Sequence, residues 1–146
     1  MVGKEAPDFE LSDQFGKIFK LSKNLHHGIV LVFYPKDKSV ICTKQLCEYN
    51  SDYEEFMKLG FQVVGISVDE KESHKKFSDK HHFNFPILSD IDKSVSKKYK
   101  ALSITGTSKR KIIVIDKNGI IQFVDEKLPI FYLKSALLLN VLKERG

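Results

Sequence analysis

The chain has 146 residues, of which 42% are apolar and 29% charged, and its 24 basic and 19 acidic residues give a net charge of +5. This length and composition predict one globular domain over residues 1–146, and the two cysteines exclude both a scaffold of several disulfides and a zinc site made of cysteines alone. The longest apolar run, residues 29–34, is too short to cross a bilayer, and residues 1–7 lack the apolar stretch of a secretory signal. We therefore expect a cytoplasmic protein without a membrane partner.

The basic residues do not concentrate on one stretch of the chain. Most lysine-rich segments also carry acids, as in residues 69–76, and the densest cluster without an acid is residues 109–111. A nucleic-acid interface needs basic residues gathered on one face. We therefore interpret the net charge as a solvated lysine-rich surface and expect no nucleic-acid partner.

The hydrophobic pattern predicts a β-hairpin followed by alternating strands and helices. A turn at residues 14–17 between two short alternating stretches indicates a hairpin within residues 9–21. Continuous β-branched runs predict buried strands, and apolar residues at helical spacing predict helices. The predicted strands are 29–34, 61–68, 85–88, 112–115 and 120–124, and the predicted helices are 43–59, 70–82, 90–99 and one that Pro129 begins, with Leu133, Leu137 and Val141 on one face. This order predicts an α/β fold with a central mixed sheet flanked by helices.

Cys42 lies where the loop after the first buried strand becomes a helix. In open α/β sheets, functional sites form beyond the carboxyl ends of the strands. The free backbone N–H groups and the positive end of the helix dipole favour the thiolate, which is the reactive form of cysteine. Ser39 offers a hydroxyl nearby, and three lysines add positive charge: Lys36, Lys38 and Lys44.

Cys47 follows Cys42 by five residues. In an intact helix this separation means a rise of about 7.5 Å and a rotation of about 140°, which a disulfide cannot span. A bond between the two would require the first turn and a half of the helix to unwind, which is typical of a redox switch. Two buried thiols without chemistry remain the alternative on spacing alone. A metal site is disfavoured, because none of the five histidines lies at short ligand spacing from a cysteine.

The segment around Cys42 resembles the active-site segment of the peroxiredoxins. The residues that carry the resemblance are Phe33, Tyr34, Pro35, Lys36, Asp37, Ser39, Cys42, Thr43, Lys44 and Cys47. The five-residue cysteine spacing resembles the bacterioferritin-comigratory-protein type, also called peroxiredoxin Q, and residues 2–9, 64–69, 85–90 and 114–119 match the family in order. The resemblance implies a thioredoxin-like fold and the reduction of hydrogen peroxide and organic hydroperoxides without a metal or an organic cofactor.

The resemblance also implies a role for individual residues. Cys42 corresponds to the peroxidatic cysteine, which becomes a sulfenic acid, and Cys47 to the resolving cysteine, which then forms a disulfide with it. Ser39 stands at the family's Thr/Ser position and Pro35 at the proline that shields the pocket. Arg110 stands at the active-site arginine, whose guanidinium would favour the thiolate and stabilise the leaving oxygen. A thioredoxin-type dithiol would regenerate the thiols, and the subtype implies a monomer.

Three features depart from the family pattern. Val40 and Ile41 stand where many relatives have Pro-Gly, Gln45 replaces a usual Glu, and Ile112 replaces a usual Thr. The first change makes the lip of the pocket more apolar, and the second removes a charge. The Val40-Ile41 and Gln45 departures favour, as the alternative function, a thioredoxin-fold redox sensor or binding module with little turnover.

Overall fold

A five-stranded mixed sheet forms the centre of the protein, in a computed structural model that describes residues 1–145. The elements in chain order are β1 (Glu10–Ser12), β2 (Ile18–Lys20), a 3-10 turn (Leu21–Lys23), β3 (Gly28–Phe33), α1 (Val40–Ser51), α2 (Tyr53–Lys58), β4 (Phe61–Ser67), α3 (Lys71–His81), β5 (Ile87–Ser89), α4 (Ser94–Lys98), β6 (Arg110–Ile115), β7 (Ile121–Lys127) and α5 (Ser135–Arg145). The sheet order is β5-β4-β3-β6-β7; β3, β4 and β5 are parallel, and β6 is antiparallel to β3 and β7. The predicted α/β fold with a mixed sheet and an N-terminal hairpin is confirmed.

The sheet is covered on both faces, as its continuous apolar strands predict. Alternate residues of β3 enter two separate cores, with Val30 and Val32 on one face and Ile29 and Leu31 on the other. The first core contains residues of α1, α2, α3 and α5, and the second contains residues of the β1–β2 hairpin and α4. None of the helices within residues 1–145 is long and apolar enough to span a bilayer.

The junction of β3 with β6 places the site. Because the two strands are antiparallel, with Phe33 opposite Lys111, the carboxyl end of β3 lies beside the amino end of β6. The loop to α1 leaves from the first of these ends, and Arg110 begins β6 at the second. The topology therefore brings the segment before Cys42 next to Arg110.

The predicted helix over residues 43–59 is wrong in its extent. The structure has two helices there, α1 from Val40 and α2 to Lys58, with Asp52 between them at φ −98° and ψ 13°. Aspartate is unfavourable inside a helix, and the Asp52 carboxylate accepts a hydrogen bond from the Ser135 hydroxyl of α5. This tertiary contact holds the chain at the bend.

The predicted start of the last helix at Pro129 is also wrong, because α5 begins at Ser135. Its buried face contains Leu138 and Leu142, whereas Leu137 of the predicted face is 56% exposed. The residues between Pro129 and α5 instead bond to α1. Tyr49 donates to the carbonyl of Leu133, and Glu48 accepts from the Tyr132 hydroxyl and the Ser135 N–H. These bonds hold the segment against α1, outside a helix.

Candidate active site

Cys42 is the third residue of α1 and is fully buried. Ser39 caps this helix with an extended backbone, and its Oγ accepts a hydrogen bond from the N–H of Cys42 at 3.1 Å. A serine cap of this kind supplies a partner to one of the four N–H groups that a helix start leaves unpaired. The sulfur therefore lies on the first turn, where the positive end of the helix dipole stabilises negative charge.

Gln45 links this turn of α1 to Arg110. The side chains of both are buried, and Arg110 Nη1 donates to Gln45 Oε1 at 2.9 Å. Arg110 Nη2 donates to the carbonyl of Pro129 at 2.7 Å. Gln45 lies three residues after Cys42, which is one turn along the same face of the helix. The guanidinium is thus fixed beside the helix that carries Cys42.

Two buried donors in this pair have no hydrogen-bond partner within the described residues. They are Nε of Arg110 and Nε2 of Gln45. A buried donor without an acceptor costs about 1–3 kcal/mol, so such groups in a folded protein call for an explanation. An acceptor oxygen of a small ligand would satisfy them.

A cavity of about 310 Å³ adjoins Arg110. Pro35 and Pro129 line it together with Arg110, and its further walls come from residues 103–109 and 126–128. Cys42 does not line this cavity and is 0% exposed. The cavity is large enough for a peroxide, and both Pro35 and Arg110, which the sequence predicts as site residues, line it.

Cys47 lies farther along α1 and is only partly buried. Both cysteines are free, and α1 is continuous across them. The sulfur of Cys47 lies 3.6 Å from Nδ1 of His81, the last residue of α3. Burial raises the pKa of the Cys47 thiol.

A buried polar network anchors the loop before Cys42, and the sequence analysis did not find it. The Asp37 carboxylate accepts from the Tyr34 hydroxyl at 2.6 Å, from the Ser73 hydroxyl at 2.7 Å, and from the His74 ring at 2.7 Å. The Asp37 backbone N–H donates to Asp69 at 2.6 Å. The loop is thus tied to α3 and to the end of β4, which fixes the direction in which α1 starts.

His74 is the fully buried member of this network. Its Nδ1 faces Asp37, and its Nε2 lies 3.1 Å from the carbonyl of Leu88. Both partners are acceptors, so each ring nitrogen of His74 faces one acceptor. Asp37, Asp69 and His74 also bring their ligand atoms within 4.8 Å of one another, as a cation site would need. Asp37 and His74 already bond to each other, and the carboxylates accept from the hydroxyls of Tyr34, Ser67 and Ser73. We therefore interpret the three residues as an anchor of the loop.

The structure therefore groups the predicted site residues in two places. Ser39 and Cys42 are in direct contact, and Arg110 reaches the same helix through Gln45 and shares the cavity with Pro35. Cys47 lies toward α3 beside His81 instead. The contacts of Gln45, His74 and His81 join residues 34 to 65 positions apart, and the sequence carries no local pattern that predicts them.

Comparisons with known proteins agree with this geometry. The family described as AhpC/TSA matches residues 2–124. Chloroplastic peroxiredoxin Q of Sedum lineare is 44% identical over 124 residues, which are 84% of this chain and 67% of the relative. Chloroplastic peroxiredoxin Q of Oryza sativa subsp. japonica is 41% identical, and the chain spans only 57% of its length. The crystal structure of peroxidoxin BcpB from Mycobacterium tuberculosis is 30% identical with a TM-score of 0.90, covering 99% of this chain and 97% of that one, and the predicted thioredoxin-like fold is confirmed.

Proposed function

Because the chain belongs to the AhpC/TSA family, as its resemblance to peroxiredoxins predicted, we propose that it is a thiol peroxidase that reduces hydrogen peroxide and organic hydroperoxides. One observation carries the proposal. Cys42 lies on the first turn of a helix capped by Ser39, and that helix is bound one turn later to a buried arginine. The N–H groups at a helix start and a nearby cation favour the thiolate over the thiol, and the thiolate is the nucleophile.

In the first step the Cys42 thiolate attacks the terminal oxygen of the peroxide. An S–O bond forms, the O–O bond breaks, and the departing oxygen takes a proton from solvent and leaves as water or an alcohol. The unpaired Nε of Arg110 supports this step, because Arg110 lines the cavity and a peroxide oxygen there could accept from it. Donors that are already in place stabilise the developing charge without having to reorganise. Pro35 would shield the same space from bulk water.

In the second step Cys47 attacks the Cys42 sulfenic acid and forms a disulfide with the release of water. Both residues lie on α1, so its first turn and a half must unwind to bring the sulfurs together. Val40 is 70% exposed, so this turn can open at its outer side without removing that side chain from a core. A thioredoxin-type dithiol would then restore both thiols by exchange.

Stopped-flow mixing of the reduced protein with peroxide, followed by mass analysis, tests the proposal. One equivalent of peroxide should yield one disulfide per chain. Cys42→Ser should abolish the reaction, and Cys47→Ser, its matched control on the same helix, should react once and stop at the sulfenic acid. Consumption of peroxide by Cys42→Ser at the native rate would refute the assignment.

Steady-state turnover separates the enzyme from the alternative function. With thioredoxin, thioredoxin reductase and NADPH, a peroxidase consumes peroxide continuously, with hydrogen peroxide and an organic hydroperoxide as the two substrates to compare. A single burst without turnover would instead support a redox sensor. The Val40-Ile41 and Gln45 departures are the features that favour this second outcome.

We further propose that the protein is a cytoplasmic monomer that acts without nucleic acid or membranes. The scattering of its lysines among acids supports the absence of a nucleic-acid partner. Sedimentation of the reduced protein tests the monomer. Leu128, Ile130 and Phe131 expose more than half of their surface, so a dimer that buries them is the outcome that would contradict the monomer.

A further inference from the structure

The environment of Cys47 contains a group that can receive its proton. Nδ1 of His81 lies 3.6 Å from the Cys47 sulfur, within hydrogen-bond distance for a thiol. Two aromatic rings hold the imidazole in place: Phe77 meets it edge-on with centroids 5.2 Å apart, and Phe83 lies at 5.7 Å. Phe77 is itself 1% exposed, so the ring that supports His81 belongs to the core.

A second contact fixes the two helices at this point. Asn50, three residues after Cys47, donates to the carbonyl of His82 at 3.2 Å and accepts from the N–H of Asn84 at 2.8 Å. The latter half of α1 is thereby bound to the end of α3. When the first turn of α1 unwinds to release Cys42, this clamp can keep Cys47 and His81 together.

We propose that His81 is the general base of the disulfide-forming step, an inference that rests on the proposed function. As the Cys47 sulfur attacks the sulfur of the Cys42 sulfenic acid, the thiol proton passes to Nδ1 of His81. The S–S bond forms, the S–O bond breaks, and the leaving hydroxide takes up that proton and becomes water. The peroxide that made the sulfenic acid is the only oxidant the step requires.

The charges around the pair suit this role. Burial raises the pKa of Cys47 above its ordinary 9.0, so less than about 1% is thiolate at pH 7. Burial, Lys80 and His82 lower the pKa of His81 below its ordinary 6.5, so the neutral ring predominates at that pH. The titratable groups that face His81 are thus Cys47 on α1 and Lys80 and His82 on its own helix and cap. A protonated thiol beside a neutral imidazole is the starting state of general-base catalysis.

The test measures disulfide formation separately from the oxidation of Cys42. Chemical quench and mass analysis resolve thiol, sulfenic acid and disulfide in a single turnover, between pH 5.5 and 9. In the native protein the disulfide step should be independent of pH around neutrality and should slow as the pH falls through the pKa of His81. His81→Asn, which keeps an acceptor but no base, should slow this step about 10²-fold at pH 7. Its rate should then rise about tenfold per pH unit with the thiolate fraction.

The matched control is His82→Asn. It removes the neighbouring imidazole, which is exposed and has a left-handed backbone at φ 55° that asparagine tolerates. This variant should keep the native rate at pH 7 and a pH profile of the same shape, shifted slightly to higher pH because His82 helps to lower the pKa of His81. His81→Gln provides a second amide if His81→Asn folds poorly. A native disulfide rate in both amide variants, or a slower step that retains the native pH profile, would overturn the inference. Failure of the native protein to oxidise Cys42 would instead refute the proposed function.

Discussion

Replacement of His74 by phenylalanine should destabilise the fold strongly. The side chains of His74 and Asp37 are 0% and 2% exposed and lie 2.7 Å apart, so water does not reach the bond between them. The phenylalanine keeps a ring in the core but removes both ring nitrogens, and the Asp37 carboxylate is left with the hydroxyls of Tyr34 and Ser73. Leaving a buried carboxylate without one of its partners costs about 3–5 kcal/mol. The total free energy of unfolding of a domain is about 5–15 kcal/mol, so this loss is a large part of it.

Urea unfolding of the reduced protein measures this loss. Asp37→Asn, alone and combined with His74→Phe, tests whether the loss comes from the Asp37 carboxylate. Alone, Asp37→Asn should destabilise the protein because it removes the partner of His74. Combined with His74→Phe it should recover stability, because it neutralises the stranded carboxylate. The control is the same replacement at the exposed His26, which should change the free energy of unfolding by less than about 0.5 kcal/mol. A loss below about 1 kcal/mol, or an equal cost of Asp37→Asn in both backgrounds, would refute the reasoning.

Two further predictions concern the first turn of α1 and the arginine. Ser39→Ala should lower the free energy of unfolding by about 1 kcal/mol because the Cys42 N–H loses its cap, while Ser39→Thr should retain most of it; equal losses in urea would argue against the cap. Arg110→Lys keeps the charge but cannot bridge Gln45 and Pro129 with one planar fork, so oxidation of Cys42 should slow about 10²-fold in stopped flow. An unchanged rate would show that Arg110 does not contribute to the oxidation of Cys42.

The sheet could be predicted from the sequence because its signal is local. All six residues of β3 are buried, and a continuous β-branched run admits few other structures. The start of α5 could not be predicted, since Pro129 is a favourable first helical residue by itself. The bonds from Glu48 and Tyr49 that hold the following segment depend on the assembled fold.

The candidate site also has a part that local sequence signals predict and a part that depends on the assembled fold. The position of Cys42 at a helix start follows from the strand, Pro35 and the helical spacing, all within a few residues. Its partners come from distant parts of the chain and consist of ordinary residue types. His81, at the end of a charged helix, has no sequence feature that sets it apart from the exposed His82. Its proposed role depends on its contact with Cys47, which the packing of α3 against α1 produces.

The antiparallel pairing of β3 with β6 has a consequence for the protein during its synthesis. The helix with Cys42 leaves the ribosome first, and Arg110 follows Gln45 by 65 residues. At about 5–20 residues per second, this delay is roughly 3–13 s. Throughout that interval the nascent chain carries the cysteine without its guanidinium, so we expect its thiol to be less reactive toward peroxide than in the finished protein. Because β6 follows β3 late in the chain, we expect Cys42 to reach its full reactivity only after Arg110 has been synthesised and β6 has paired with β3.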